Sequence, residues 1–410
     1  MTENDSRILI LSHGHPDMDK GGAEVAAYNM FKQLLCRDAD VYFMARSGLV
    51  PHGGTAFSTH HSEREILFHT TMDDRFIFSN IKTRHLWQEF RDLLTLLKPK
   101  VVHLHHYFLF GLEVLEEIRK AFPNVKVVLT LHEYLGICHN KGLMVKTNGR
   151  LCYRASPRDC HSCFPEKQPG DFFLREQYIK RMFANVDTFV APSKFLKERY
   201  VEWGISPTLI KVIENGQEHV SLSNHSEKSG EVCRLAFFGQ INPYKGIDTL
   251  LNALTQLPKS VRKKIDVEIH GANLEKQPGV FQEKVQSLVS KLGKAVKLFG
   301  PYDSRELPAL LSQVDWVVVP STWWENSPMV IQEAFSSKVP LIVSDIGGMA
   351  EKVEDGKTGL HFRAGNSMDL ARVIEKVVKD SSLRGKLSEN IKPPMSIEQC
   401  VDEHVALYFA

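Results

Sequence analysis

The sequence predicts an α/β protein made of two doubly wound parallel-sheet domains. Three observations carry this. Short apolar runs ending in Gly, Pro or Asp alternate with segments of helical length. The runs are apolar throughout, as expected for strands covered by helices on both faces. And 410 residues, 43% of them hydrophobic, are too many for one ordinary domain.

The second half gives the clearest order. Residues 234–239 read as a strand and 246–257 as a helix. Residues 265–271 form the next strand, with a helix near 280–292, and 296–299 a third, with a helix near 305–312. Strands at 316–320, 340–344 and "TGLHF" follow, with a helix from about Pro328 between the first two. The final regular helix of this half starts near Met368, capped by Asn366 or Ser367. In the first half, residues 7–12, 100–104, 125–131 and 187–191 read as strands. Helices are expected over 21–35 and after Pro192-Ser193. The polar run 214–233 reads as the linker. The expected domains are therefore 1–215, with a Cys-rich insertion at 138–165, and 216–395. A terminal helix, 396–410, is expected to return to the first domain. Ligands of such sheets sit at the carboxyl ends of the strands, so a cleft between the two domains is the expected site.

Composition narrows the function. Lys+Arg total 51 and Asp+Glu 49, a formal net charge of +2, which argues against a nucleic-acid partner. No apolar run is long enough to span a membrane, and the start lacks the apolar core of a signal peptide. A cytoplasmic protein is expected, and seven cysteines in that compartment point to metal or free thiols before disulfides.

The stretch "STWWENSPMVIQEAF" follows a strand and carries Glu325 and Glu333. Pro328 suits the first helical position and Ser327 the cap. The first-turn amides, near Met329 and Val330, would then be open to a phosphate. Glu333 would lie about 7.5 Å further along the axis, roughly the reach from a diphosphate to its ribose. Spacing alone equally allows a solvated helix residue at Glu333 and a plain loop charge at Glu325.

That stretch, continued as "SSKVPLIVSDIGGMAEKVEDGKTGLHF", resembles the donor-site segment of the family 4 retaining glycosyltransferases of the GT-B fold. Further segments resemble the family in order: "GGAEVAAYNMFKQL", "VVLTLHEY", "TFVAPSKFLKE", "VIENGQE" and "FFGQINPYKGIDTLLNAL". The resemblance covers most of the chain. It implies transfer of a hexose-type sugar, with retention and without a catalytic metal, from a nucleotide-diphosphate donor such as a UDP- or GDP-sugar. The implied acceptor is a saccharide or lipid-linked saccharide in bacterial cell-surface polysaccharide biosynthesis.

Roles follow from the resemblance. Glu333 would bind the ribose hydroxyls and Glu325 a hydroxyl of the transferred sugar. The backbone around Asn326, Ser327, Met329 and Val330 would hold the distal phosphate and sugar. Lys245 would neutralise the diphosphate leaving group, and His132 would stand near the reacting sugar. Gly21 and Gly22 would let backbone approach the donor, as would Gly239 in the donor loop, while Glu24 would hold its own loop. His103, His105 and His106 are expected to be structural or acceptor-side. One departure stands out: Gln240 occupies the place where the family usually carries an arginine, leaving Lys245 as the cation of that loop.

Cys138, Cys152, Cys160 and Cys163 fall within 26 residues. Four thiolates would suit a closed structural zinc site. Free thiols and a Cys160/Cys163 redox pair remain open alternatives. The following "FFLREQYIKRMF" interleaves basic and aromatic residues. It reads either as an ordinary packed helix or as a peripheral contact with the inner face of a membrane. Rival functions are a same-fold epimerase or phosphorylase, a silent sugar-nucleotide binder motivated by Gln240, and a zinc-dependent scaffold.

Overall fold

A computed structural model describes residues 6–18, 21–48, 54–80, 84–218 and 232–410. Most of the expected linker, residues 219–231, therefore lies outside the described residues. The chain divides into two compact units, Met1–Glu218 with Met395–Ala410, and His219–Pro394.

The first unit carries strands β1 (Ile8–Ser12), β2 (Val41–Ser47), β3 (Phe57–Thr59), β4 (Glu65–His69), β5 (Val101–Leu104), β6 (Lys126–Thr130), β7 (Thr188–Ala191) and β8 (Ile210–Val212). Its helices are α1 (Gly22–Cys36), α2 (Leu86–Leu97), α3 (Glu113–Ala121), α4 (Pro157–Cys163), α5 (Pro169–Phe183) and α6 (Lys194–Glu202). The described strands form one eight-stranded sheet in the order β3-β4-β2-β1-β5-β6-β7-β8. Every pairing is parallel except β3 with β4.

The second unit contains strands β9 (Cys233–Gln240), β10 (Ile265–Ala272), β11 (Val296–Gly300), β12 (Trp316–Val319), β13 (Leu341–Ser344) and β14 (Gly359–Phe362). Between and after them come α7 (Ile247–Gln256), α8 (Lys259–Arg262), α9 (Gly279–Leu292), α10 (Leu307–Leu311), α11 (Met329–Ser336), α12 (Gly347–Lys352), α13 (Ser367–Lys379) and α14 (Ser382–Asn390). The strand order is β11-β10-β9-β12-β13-β14, all parallel. Both faces are covered: Leu235, Phe237, Val267 and Ile269 pack with α7, α9 and α13, while Ala236, Phe238, Val317 and Val343 pack with α10, α11 and α12.

The last helix, α15 (Ile397–Tyr408), belongs to the first unit. Its Ile397, Cys400, Val401 and Tyr408 join the core made by Ile8, Ile10, Met30 and Phe31. The Gln217 amide donates to the Met395 carbonyl and the Ile397 amide to the Gln217 carbonyl, both at 2.9 Å, which fixes where the returning chain enters.

Two sequence expectations need correction. The helix at Ser367 is not the last of its unit, since α14 follows; its Ser/Gly/Lys-rich sequence buries only Leu387 and so has weak periodicity. Ser327 does not cap α11. Pro328 takes the cap position with extended ψ, and the Ser327 hydroxyl turns inward, where no described group bonds it. Arg175, in the segment read either as a packed helix or as a membrane contact, faces the protein interior. It is buried and donates to the carbonyls of Phe76, Leu135 and Gly136 at 2.5–2.8 Å.

Candidate active site

In a doubly wound sheet the strand order reverses at one point, and the loops leaving the two strands there diverge to open a crevice. In the second unit β9 is the turning point, flanked by β10 and β12. The loops that leave β9 and β12 carry Lys245 and Glu325.

Local chemistry fixes both. Asn242 caps the single turn Pro243–Lys245, its side chain accepting from the amides of Tyr244 and Lys245 at 3.0 and 3.1 Å. Gly246 then takes φ +69°, and a Cβ there would collide with the Pro320 carbonyl. The Thr322 amide donates to the Tyr244 carbonyl at 2.8 Å. The two loops are thus stitched together and Lys245 is aimed at Glu325.

Glu325 is nearly buried, and its Oε1 accepts three bonds: from Lys245 Nζ at 2.7 Å, Ser321 Oγ at 2.7 Å and Trp323 Nε1 at 2.9 Å. No described group donates to Oε2, so one carboxylate oxygen is held fast and the other is available. The loop behind is equally fixed. The Gly348 amide donates to the Glu325 carbonyl at 2.7 Å. A Cβ on Gly348 would overlap the Asn326 carbonyl oxygen, and Gly347 sits at φ +58° against the Glu325 backbone. Sequence reasoning assigned nothing to this glycine pair. A Gly-Gly opening a helix beside an invaginated loop was the available signal.

Glu333 lies on α11, half-buried, and no described group donates to its carboxylate. Burial pushes its carboxyl up to about 7. Tyr302 is its neighbour, and its phenol is pushed well up by burial and by the Glu333 charge. Among the described residues no side chain caps the first turn of α11, which leaves the amides near Met329 and Val330 as donors for another partner. Gln240 is exposed at the end of β9, next to Gly239 at φ +139°.

A cavity of about 330 Å³, missed by sequence reasoning, opens at the ends of β10 and β11. Ile241, Ile269, Gly271, Leu274 and Pro301 are among its walls. Its size falls within the range of small-molecule pockets.

The first unit has its own turning point at β1, between β2 and β5. His132, just beyond β6, places Nε2 3.2 Å from His105 Nδ1. Burial, then the nearby His13, bring its imidazole down to about 3, so it is neutral at physiological pH. Glu24 is paired with His13 at 3.0 Å. A Cβ on Gly21 would meet the Glu24 carboxylate, so Gly21 makes room for a side chain that closes its own loop, the role expected of Glu24. Gly22 begins α1.

His103 is a structural residue. Its ring nitrogens bond Tyr408 Oη at 2.6 Å and Thr130 Oγ1 at 2.7 Å. His106 pairs with Glu133 at 3.1 Å. A further group was not anticipated from "HGH" and "HH". One oxygen of Asp17 meets His60 at 3.1 Å, His61 at 2.6 Å and His15 at 3.5 Å, tying the loop after β1 to the β3–β4 turn.

Two family models match the chain. Glycosyltransferase Family 4 matches residues 20–219, and Glycosyl transferases group 1 matches residues 222–393. Among curated proteins, an uncharacterised 41.2 kDa protein in the cps region of Klebsiella pneumoniae is 30% identical over 208 residues, 48% of this chain and 53% of that protein. The lipopolysaccharide 1,2-N-acetylglucosaminetransferase of Salmonella typhimurium is 23% identical over 314 residues, 74% of this chain and 69% of that protein. The chain spans 53% and 60% of the length of the Klebsiella protein and of an uncharacterised Methanocaldococcus jannaschii glycosyltransferase. Among solved structures, Anabaena HepE in complex with UDP and glucose superposes with TM-score 0.67 at 19% identity, covering 98% of this chain and 99% of that one. Sucrose-phosphate synthase from Thermosynechococcus elongatus gives TM-score 0.73 at 18% identity, covering 98% of each. The fold is shared with these GT-B proteins.

Proposed function

Because the chain belongs to the family 4, group 1 glycosyltransferases, we propose that it transfers a hexose-type sugar from a nucleotide-diphosphate donor with retention of anomeric configuration. The acceptor class we propose is a saccharide or lipid-linked saccharide of a cell-surface polysaccharide. The observation that carries this reading is the pairing of two differently prepared carboxylates on one loop–helix unit: Glu325, locked through one oxygen by Lys245, and Glu333, half-buried and without a donor among the described residues.

Each group has a task it is built for. The ionised Glu333 accepts from both ribose hydroxyls, replacing solvation it lacks in the free protein. The uncapped amides of α11 bind the distal phosphate. Glu325 offers Oε2 to a hydroxyl of the sugar. The nucleobase is assigned to the cavity beyond β10 and β11. In the transfer the bond from the anomeric carbon to the diphosphate breaks and a bond to the acceptor oxygen forms on the same face. The acceptor proton passes to the departing phosphate. Lys245 stabilises the charge that grows there, which is worth most in a site poor in water. His132, neutral, is assigned a hydrogen bond to the sugar, and backbone near Gly21 and Gly22 a close approach to the ligand.

That HepE is crystallised with UDP and with UDP-glucose supports a nucleotide-sugar donor. The cps-region and lipopolysaccharide relatives support the acceptor class. Among the described residues no helix is long and apolar enough to cross a membrane. A peripheral contact through α5 is supported by its outward Phe173, Leu174 and Arg181. The test is a screen of UDP-, GDP- and ADP-sugars for thermal stabilisation and, with acceptor, for turnover. A saturating ligand raises the melting temperature by mass action. Stabilisation by a donor without turnover on any acceptor would favour a silent binder, the reading that Gln240 motivates.

A further inference from the structure

The segment between β6 and α5 is long, irregular and poor in core. From Cys138 to Gln168, all of it described, the buried apolar side chains are Met144 and Val145. Helix α4 buries none of its residues. Its regular structure is one isolated antiparallel bridge, Val145 with Leu151, and that short helix. Ordering a chain of this length costs more conformational entropy than two buried side chains return.

What the segment does bring together is thiols. Cys138 comes from the turn after β6. Cys152 follows the bridge, its amide donating to the Met144 carbonyl at 2.8 Å. Cys160 and Cys163 sit one turn apart on α4, which places them on one helical face. That helix is fixed at its start by Ser156, which accepts from the Asp159 amide at 3.1 Å. All four cysteines line one cavity of about 20 Å³, and none is in a disulfide. Three separate pieces of local structure thus bring four cysteines to the walls of one cavity.

We propose that Cys138, Cys152, Cys160 and Cys163 hold one structural zinc ion, and that this ion, in place of a hydrophobic core, folds the insertion. The donor set is four soft ligands from three parts of the insertion, the composition of a closed tetrahedral site with no open position for chemistry. On binding, each thiol gives its proton to solvent and the four thiolates share the ion. The inference is independent of the sugar-transfer reading, since it concerns the folding of one insertion.

The experiment uses the full chain, purified without a metal-affinity step. Elemental analysis should find about one zinc per chain, and the Cys160→Ser/Cys163→Ser double variant should lose it. So that local unfolding of that variant does not decide the outcome, a second measurement uses the unsubstituted protein. A thiol-alkylating reagent, followed by peptide mass analysis, should label the exposed Cys36 at once and spare the four until a chelator is added. With chelator, protease cleavage should appear first within residues 138–168. Iron in place of zinc, zinc retained in the double variant, a Cys160–Cys163 disulfide, or equal labelling with and without chelator would each overturn the proposal.

Discussion

Lys245 and Glu325 lie eighty positions apart and meet in a 2.7 Å ion pair at the carboxyl edge of the second unit's sheet. Neither loop could present its charge alone. The cap at Asn242, the left-handed Gly246 and the bond from Thr322 to Tyr244 hold the lysine to the β12 loop.

Replacing Lys245 removes the cation and leaves Glu325 with two neutral donors, Ser321 and Trp323. Lys245→Ala should lower kcat by about 10²–10³-fold, the usual loss for one preorganised electrostatic group. It should also destabilise the protein by about 1–3 kcal/mol, because a nearly buried carboxylate loses its charge partner. Steady-state kinetics and thermal melts read the two effects. Unchanged kcat would remove Lys245 from the chemistry.

Glu333 makes stability pH-dependent. Burial pushes its carboxyl in the folded protein up to about 7, well above the ordinary carboxylate value. The folded state therefore holds more protons than the unfolded state between those values, and stability falls as pH rises through that window. The loss is on the order of 3 kcal/mol, complete above about pH 7. Glu333→Gln should flatten the melting-temperature profile and stabilise the ligand-free protein at pH 8. The same variant should lose donor affinity at that pH. A profile of unchanged shape would mean the carboxyl is not set apart by burial.

Gly246→Ala asks for two things the loop refuses, a left-handed conformation and space occupied by the Pro320 carbonyl. It should cost more than about 1 kcal/mol and lower turnover by misplacing Lys245. Gly239→Ala shares the positive φ but meets nothing within 4 Å, so its cost should be smaller. Equal melting temperatures for the two variants would contradict the packing argument.

His132 is held neutral by burial, with its ring stacked on His105. Its removal should lower activity without changing the shape of the pH–rate curve between pH 5 and 8. An inflection near the ordinary histidine value that vanished in His132→Gln would show that the imidazole titrates there.

Much of this was legible in the sequence, for physical reasons. Strands such as Trp316–Val319 are unbroken apolar runs because both faces are covered, and helices such as Ser367–Lys379 announce their cap in Asn366. The shorter first-unit elements were not legible. β3 is a three-residue edge strand, and α4 has no buried face to set a period. Glu325, Lys245 and Glu333 stood out by motif. The cramped Gly347-Gly348 and the Asp17 histidine group depend on contacts between distant segments, which spacing along the chain does not encode, and the Ser321 and Trp323 bonds, though only four and two positions from Glu325, depend on how the loop turns. The Ser327 cap failed because Pro328 takes an extended ψ, so the helix starts one residue later than its proline suggests.

The most direct test of the central claim is a calorimetric titration of the parent, Glu333→Ala and Lys245→Ala proteins with the nucleotide sugar that stabilises the parent best, paired with turnover of the same samples. Loss of donor affinity in Glu333→Ala and loss of turnover in Lys245→Ala are the predicted results. Parent-like binding and turnover in both variants would contradict it.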